Sequence, residues 1–321
     1  MILSIQYLRF FACLMVVILH ITVKSHINNG GSYIHFGHAG VDIFFAISGF
    51  IMCYISEKKD TDTILFLKNR VIRIYPIYII TLIPFIIIFL LMPQIVNTHG
   101  HPPSILKSIT LIPFFNGSYL NLVAWTLSYE IYFYLIFSIS LLLRKNAIFA
   151  SITTILTLIL IGKLFNIEFI SSLISVEFIF GMMIYKLIFK KTELNKYTSL
   201  VIILIGAGVI YTTPSDIALK NDLYRVLYYG IPSAMILTGV LSPSISKFNS
   251  KTLTVLGDSS YSIYLTHILT INIVYVAFSY FGMQQKMYFI MVATTVLMST
   301  IIGVTVHLKI EKPVIKKIRS I

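Results

Sequence analysis

Charge is scarce in this sequence of 321 residues, where Asp, Glu, Lys and Arg together make up only 12%. That share is about half of what soluble domains carry. Hydrophobic residues form 57% of the chain and the mean hydropathy is +0.88, so too little polar surface exists to face water. The composition excludes a cytosolic globular enzyme and a disordered chain, and it predicts a protein whose solvent is the lipid bilayer.

Cysteine and acidic residues are also rare. Cys13 and Cys53, each within an apolar run, are too few for a disulfide-stapled secreted module, and we interpret them as small buried side chains. Twelve acidic residues oppose 25 Lys and Arg, which gives a net charge of +13. No nucleic-acid-binding motif accompanies this excess, so we expect no nucleic-acid partner and attribute the charge to membrane topology.

Apolar runs recur with the length of about 20 residues that a transmembrane helix needs. Lys and Arg set the orientation, because cytoplasmic loops carry an excess of them. With a cytoplasmic N-terminus, 18 of them fall inside and 6 outside. The sequence therefore predicts an all-α integral membrane protein, a bundle of about ten transmembrane helices with both termini cytoplasmic, forming one domain over residues 1–321. The ten predicted spans are roughly 5–24, 39–56, 73–92, 123–143, 147–163, 170–189, 198–213, 225–243, 254–281 and 288–308.

Two ionisable residues lie within the first predicted helix. Arg9 and His20 are eleven residues apart, which is only about 20° past three full turns, so both project from one face. Their separation along the axis is about 16 Å, so they would line one path at two depths. The alternatives are an Arg that extends to the headgroups and a His that hydrogen-bonds a neighbouring helix.

A second basic pair, Arg70 and Arg73, shares a helix face at the cytoplasmic end of the third span. The planar guanidinium fork suits phosphate oxygens, so the pair is a candidate site for a nucleotide-like polyanion. Spacing alone equally fits two anchors that set membrane topology.

Other polar residues lie in or beside the apolar runs. Glu130 lies about two turns into the fourth span, where a lone carboxylate needs a partner, and Arg9 or a His is the candidate. Ser48 and Gly49 are small enough to allow close helix packing, and Trp125 is a residue type common at the membrane interface. Each of these features therefore has a structural interpretation beside a role in a site. The residues named so far do not distinguish an enzyme from a transporter. The remaining candidates for supporting the site are Asp42, Ser48, Trp125, Ser128, Tyr261 and His267.

Taken together, these segments resemble the acyltransferase-3 family of bacterial membrane acyltransferases. The Arg-x10-His pattern of that family is similar to Arg9 and His20 here, and Thr126 stands where the family usually has Ser. The other segments that carry the resemblance, in order, are GVDIFFAISGF, RVIRIYPIY, AWTLSYEIYFYL, EFIFGMMIY, LGDSSYSIYLTH and IEKPVIK.

The resemblance implies a multi-pass protein of the bacterial cytoplasmic (inner) membrane that acts as an O-acyltransferase. The expected donor is acetyl-CoA from the cytoplasm, with no metal. The expected acceptor is a hydroxyl of a cell-surface polysaccharide, such as lipopolysaccharide or exopolysaccharide, or of its lipid-linked precursor at the outer face. We expect no fused extracytoplasmic domain, so either the membrane unit completes the transfer or a separate extracytoplasmic transferase partner does.

For the residues, the resemblance implies a catalytic set of His20, Arg9 and Glu130. His20 would act as general base or as an acyl-carrying nucleophile. Arg70 and Arg73 would bind the CoA phosphates.

The competing hypothesis is a transporter or flippase for a glycan intermediate or acyl group without catalysis. No inverted repeat or pair of broken helices is evident in the sequence, which favours the enzyme.

Overall fold

The computed structural model describes residues 2–30, 33–58, 62–93, 102–190, 194–246 and 249–320. Within these ranges the regular structure is helical and no strand occurs, apart from an isolated bridge between Pro103 and Ser118. A helix satisfies its backbone hydrogen bonds internally, which is what a bilayer demands. The predicted all-α class is confirmed.

The α-helices are numbered in chain order. Their bounds are α1 Leu3–Asn29, α2 Ala39–Lys58, α3 Thr63–Leu91, α4 Ile105–Thr110, α5 Ala124–Ser140, α6 Ala147–Leu164, α7 Glu168–Ser171, α8 Val176–Met183, α9 Lys196–Thr212, α10 Ser215–Ala218, α11 Asp222–Arg225, α12 Ile231–Val240, α13 Pro243–Ser246, α14 Lys251–Asp258, α15 Ser260–Tyr280, α16 Tyr288–Val306 and α17 Lys312–Arg319. Turns of π geometry extend α8 through Ile184–Phe189, join α11 to α12 through Val226–Gly230 and join α16 to α17 through His307–Glu311.

Helix occurs at each of the ten predicted spans, so the protein is a multi-pass helical membrane protein. In the described ranges, six helical stretches are long and apolar enough to cross a bilayer, and α9 is a shorter apolar helix. Ten crossings and cytoplasmic termini stay predictions. The six stretches are Leu3–Asn29, His35–Glu57, Thr63–Leu91, Ala124–Leu164, Ser260–Tyr280 and Tyr288–Arg319.

The start of α3 differs from the prediction. The apolar run suggested a start near residue 73, but the helix begins at Thr63 because Asp62 caps it, with its carboxylate accepting a hydrogen bond from the Leu65 amide at 3.0 Å. Arg70 and Arg73 consequently lie about two to three turns inside the helix. Their guanidinium groups therefore project among neighbouring helices.

The closest backbone contact that involves α2 is its crossing with α8. A Cβ atom on Gly49 would lie 2.0 Å from the Phe178 carbonyl oxygen, and one on Gly181 would lie 2.0 Å from the Ala46 carbonyl oxygen. Each helix thus presents a glycine to the backbone of the other, as in small-residue membrane interfaces. The prediction that small residues around position 48 permit close packing is confirmed for Gly49.

We expect Gly49→Ala and Gly181→Ala to destabilise the protein by about 1–3 kcal/mol, because the added methyl meets backbone that cannot rotate away. The measurement is thermal unfolding of the detergent-solubilised protein. Gly208→Ala in α9 is the matched control, since a Cβ there meets nothing within 4 Å. Equal melting temperatures for all three variants would contradict the close crossing.

Candidate active site

A cavity of about 340 Å³ lies between α1, α2, α3, α5 and α15. Its lining begins with the first residues of α1 and runs along α2 from Val41 to Ile55, and most of its wall is apolar. We call it the central cavity. Its polar lining residues are Gln6, Arg9, Ser48, Tyr54, Arg73, Thr126, Glu130, Tyr134, Ser260, Tyr261 and Tyr264.

The Glu130 carboxylate is held in the cavity wall by two hydroxyl groups. Ser48 donates to Glu130 Oε1 at 3.1 Å, and Tyr134 donates to the same oxygen through a short hydrogen bond. The prediction that Arg9 or a His pairs with Glu130 is therefore wrong for direct contacts. Arg9 Nη1 instead donates to Gln6 Oε1 at 3.4 Å. The physical reason is proximity, since Tyr134 follows Glu130 by one helical turn and could have been found by that spacing.

Arg70 and Arg73, which are predicted to share a helix face, differ in their immediate surroundings. Arg73 lines the central cavity, whereas Arg70 is buried with its guanidinium carbon 5.7 Å from the centre of the Phe66 ring. The Arg70 Nε and Nη1 atoms have no hydrogen-bond partner among the described residues. Buried donors without acceptors are costly, so this arrangement fits an anionic ligand group such as a phosphate.

His20 lies three turns beyond Arg9 on α1, against His267 of α15. The two ring centres are 5.3 Å apart. His267 Nδ1 donates to the Tyr264 carbonyl at 2.6 Å, so in the neutral ring the lone pair is on Nε2. That buried Nε2 has no hydrogen-bond partner in the described part of the chain. The sequence predicted both histidines as site residues, and the structure brings them together as a pair of imidazoles suited to proton transfer.

Among the described residues, the lining of the central cavity includes Arg9 and not His20, and the histidine pair lies beside it. The path that connects Arg9 with His20 stays a prediction. Tyr264 connects the cavity with the histidine pair, since it lines the cavity and its ring centre is 5.6 Å from that of His267. Thr126 Oγ1 donates to the Val123 carbonyl at 2.8 Å and is 2.9 Å from the Tyr264 hydroxyl. Thr126 therefore accepts from Tyr264, a role that any hydroxyl residue could fill.

Two other predicted residues hold the surrounding elements in place. The Tyr261 hydroxyl donates to the Ile74 carbonyl at 2.9 Å, which ties α15 to α3 beside the cavity. The hydroxyl groups of Ser128 and Tyr119 are 2.8 Å apart and link α5 to the segment that precedes it. Both residues therefore support the site through its framework.

Asp42 is fully buried at the start of α2 and pairs with Arg225 of α11. Arg225 Nε donates to Oδ1 and Nη2 donates to Oδ2, each at 3.1 Å. The Arg225 guanidinium also lies 5.6 Å from the centre of the Trp125 ring, so Trp125 packs on a cation. The buried Glu177 of α8 belongs to the same charge cluster. Asp42 and Arg225 are 183 residues apart, so no local pattern in the sequence predicts that they pair.

The two cysteines are free and buried, as expected. Across the described ranges, no three His, Cys, Asp or Glu residues are grouped so that they could share a metal ion. The chemistry that the site offers from its own side chains is that of guanidinium groups, hydroxyls, one carboxylate and two imidazoles.

Comparison with known proteins gives two relatives and a family. The chain is 28% identical over 308 residues to the exopolysaccharide production protein ExoZ of Rhizobium meliloti (strain 1021), which covers 90% of this chain and 93% of that protein. It is 32% identical over 148 residues to the acyltransferase MdmB of Streptomyces mycarofaciens, which covers 42% of this chain and 38% of that protein. No solved structure matches the chain.

The family model is described as an acyltransferase domain and matches residues 2–308. That range contains α1 to α16, the central cavity and both histidines. The resemblance drawn from the sequence motifs is thereby confirmed, and the chain belongs to the acyltransferase-3 family.

Proposed function

We propose that this membrane acyltransferase is an O-acetyltransferase of the bacterial inner membrane. It moves an acetyl group from cytoplasmic acetyl-CoA to a hydroxyl of a cell-surface polysaccharide, or of its lipid-linked precursor, at the outer face. The observation that carries the proposal is the central cavity, which places Arg73, Arg9 and Glu130 inside an apolar bundle beside the buried Arg70. Similarity to an exopolysaccharide production protein supports a polysaccharide acceptor.

The donor would enter where α3 begins, at the end of the bundle to which the excess of Lys and Arg assigns the cytoplasm. Arg73 faces the cavity, and Arg70 carries buried donors without partners among described residues. Two guanidinium groups in this position suit the phosphates of CoA. The apolar wall then suits the uncharged arm that carries the thioester.

Arg9 and His20 cannot both contact the reacting carbonyl, because about 16 Å of helix separates them. We therefore place Arg9 and Glu130 on the donor and His20 at the thioester end. Arg9 would pair with an anionic or polar group of the CoA arm. Glu130, held by Ser48 and Tyr134, would accept hydrogen bonds from its amides.

In the transfer step, His20 acts as general base. Its neutral imidazole takes the proton of the sugar hydroxyl while that oxygen bonds to the thioester carbonyl carbon. The carbon–sulfur bond then breaks, the sulfur leaves with its electron pair, and the proton held on His20 passes to it. The products are the acetyl ester and free CoA. His267, whose ring is fixed by the Tyr264 carbonyl, holds His20 in place or shares its proton.

We expect His20→Ala to lower acetyl transfer by about 10²–10⁴-fold, which is the usual contribution of a general base. The assay follows acetyl-labelled acetyl-CoA into envelope glycan and measures free CoA, using membranes that contain equal amounts of protein. His26→Ala is the control, since His26 is exposed on the same helix. Full turnover by a correctly folded His20→Ala variant would remove His20 from the mechanism.

The same assay distinguishes general-base catalysis from a route through an acyl-enzyme intermediate. It also distinguishes an acyltransferase from a transporter. Label trapped on the protein after rapid quenching, and lost in His20→Ala, would replace the general base with an acyl-imidazole intermediate. Movement of glycan or acyl-CoA without release of free CoA from any acyl-CoA would overturn the enzyme in favour of a transporter.

For the donor site, we expect Arg73→Ala and Arg70→Ala each to raise the KM for acetyl-CoA by roughly tenfold or more, because hydrogen bonds to charged groups contribute about 1.5–3 kcal/mol. The KM for the glycan should stay unchanged. Lys68→Ala is the matched control, an exposed cation on the same helix. If all three variants have the wild-type KM for acetyl-CoA, the two arginines are topology anchors.

A further inference from the structure

A second cavity, of about 680 Å³, opens beyond the starting end of α5. Residues around α4, the first turns of α5, the segment around α7 and the helix α11 line it. Since α3 separates α4 from the Arg73 end of the bundle, this cavity lies at the opposite end from the donor entrance. We call it the aromatic cleft, after its residues Tyr119, Trp125, Tyr129 and Phe169.

Aromatic rings form one side of the cleft in a fixed arrangement. Tyr129 stacks on Phe169 with 4.2 Å between ring centres, and Trp125 stands perpendicular to Tyr129 at 6.0 Å. Trp125 and Phe169 are half-buried, so part of each ring faces the open cleft. The electron-rich face of an aromatic ring attracts C–H groups, which sugar rings present on their flat sides.

Hydrogen-bonding groups form the other side. Asp222 is oriented by its Oδ2 atom, which accepts from Ser172 Oγ at 2.5 Å and from the Leu173 amide at 3.1 Å. Lys107 Nζ donates to the Gly117 carbonyl at 3.0 Å, and an ammonium group has two further hydrogens to offer. Glu168 is exposed at the rim. Fixed acceptors and donors beside flat rings are what a ligand with many hydroxyls requires.

The balance of charge separates a neutral saccharide from a polyanion. Lys107 and Arg225 share the lining of the cleft with Glu168 and Asp222. Arg225 is already bound by both oxygens of Asp42. No excess positive charge is left to bind several phosphates, in contrast to Arg70 and Arg73 at the other end. The cleft therefore suits an uncharged polyhydroxylated ligand.

A layer of packed aromatic side chains separates the cleft from the central cavity. On α5, Trp125 and Tyr129 face the cleft while Thr126 and Glu130 face the cavity. The ring centre of Phe45 lies 6.3 Å from that of Trp125 and 6.2 Å from that of Tyr129, and Phe45 itself lines the cavity. A ligand in the cleft is thus separated from a donor in the cavity by these packed rings.

We propose that the aromatic cleft is the acceptor subsite and binds a neutral sugar unit of the polysaccharide. This inference rests on the proposed acetyl transfer and adds to it the place and chemical class of the acceptor. Sugar C–H faces lie on Trp125 and Phe169, and sugar hydroxyls bind Glu168, Asp222 and Lys107.

Trp125 provides a direct test, because the chain contains only one tryptophan. The test uses full-length His20→Ala protein in lipid nanodiscs, which binds without turning over. The probe is oligosaccharide cut from the producing cell's own exopolysaccharide and treated with alkali to remove esters. We expect a saturable change in Trp125 emission. Phe169→Ala should weaken the apparent affinity by about fivefold, from the lost ring contact. Phe165→Ala, whose ring is 72% exposed outside the cleft, should leave it unchanged.

Two results would overturn the acceptor subsite. One is the absence of any saturable change in emission up to about 10 mM oligosaccharide, the limit of measurably weak binding. The other is a response to acetyl-CoA that the oligosaccharide does not reproduce, which would make the cleft part of the donor site.

Acetyl transfer by wild-type protein, measured with the same oligosaccharide, keeps the two proposals separate. Transfer with unmoved Trp125 emission refutes the cleft and leaves the acetyltransferase intact. A Phe169-dependent emission change without transfer from any acyl-CoA supports a saccharide subsite and refutes the acetyltransferase. When both occur, Phe169→Ala and Glu168→Gln should raise the KM for oligosaccharide severalfold and leave the KM for acetyl-CoA unchanged.

Discussion

A charge in an apolar bundle must be matched by another group, and the pair of Asp42 and Arg225 is where this constraint shapes the structure most. Removing one partner of such a pair leaves an uncompensated buried charge, at a cost of about 3–5 kcal/mol. The two parallel hydrogen bonds fix the start of α2 against α11. Arg225 then packs on Trp125, which sets the first turn of α5. The ion pair therefore links α2, α11 and α5, each of which lines one or both of the cavities.

Helix α5 runs from the ion pair of Asp42 and Arg225 between the two cavities, and its two faces line different cavities. Glu130 and Thr126 turn towards the central cavity, and Trp125 and Tyr129 turn towards the aromatic cleft. Helix α2, which lines the central cavity, packs closely against α8 at Gly49 and Gly181. The two cavities beside α5 therefore differ chemically, since one carries guanidinium groups and a carboxylate in an apolar wall and the other carries aromatic rings with charges of both signs.

Local patterns in the sequence predicted a good part of the candidate site. Helical periodicity placed Arg9 and His20 at two depths of α1, and the spacing of one turn between Glu130 and Tyr134 is compatible with their hydrogen bond. The sequence did not predict that Arg70 is buried, because the apolar run places the start of α3 too late. The cap at Asp62 determines where this helix begins. The hydrogen bond between Glu130 and Ser48 could not be predicted either, because Ser48 lies on another helix.

The sequence by itself determined that the protein is an all-helical membrane protein of the acyltransferase-3 family, and which polar residues the bilayer would force to find partners. Composition, apolar run length and motif order are properties of neighbouring residues, so one chain suffices to read them. Only the tertiary structure decided that Arg225 pairs with Asp42, that His267 lies against His20 and that two cavities flank α5. Those contacts join residues more than 180 positions apart, and helix packing rather than local pattern brings them together.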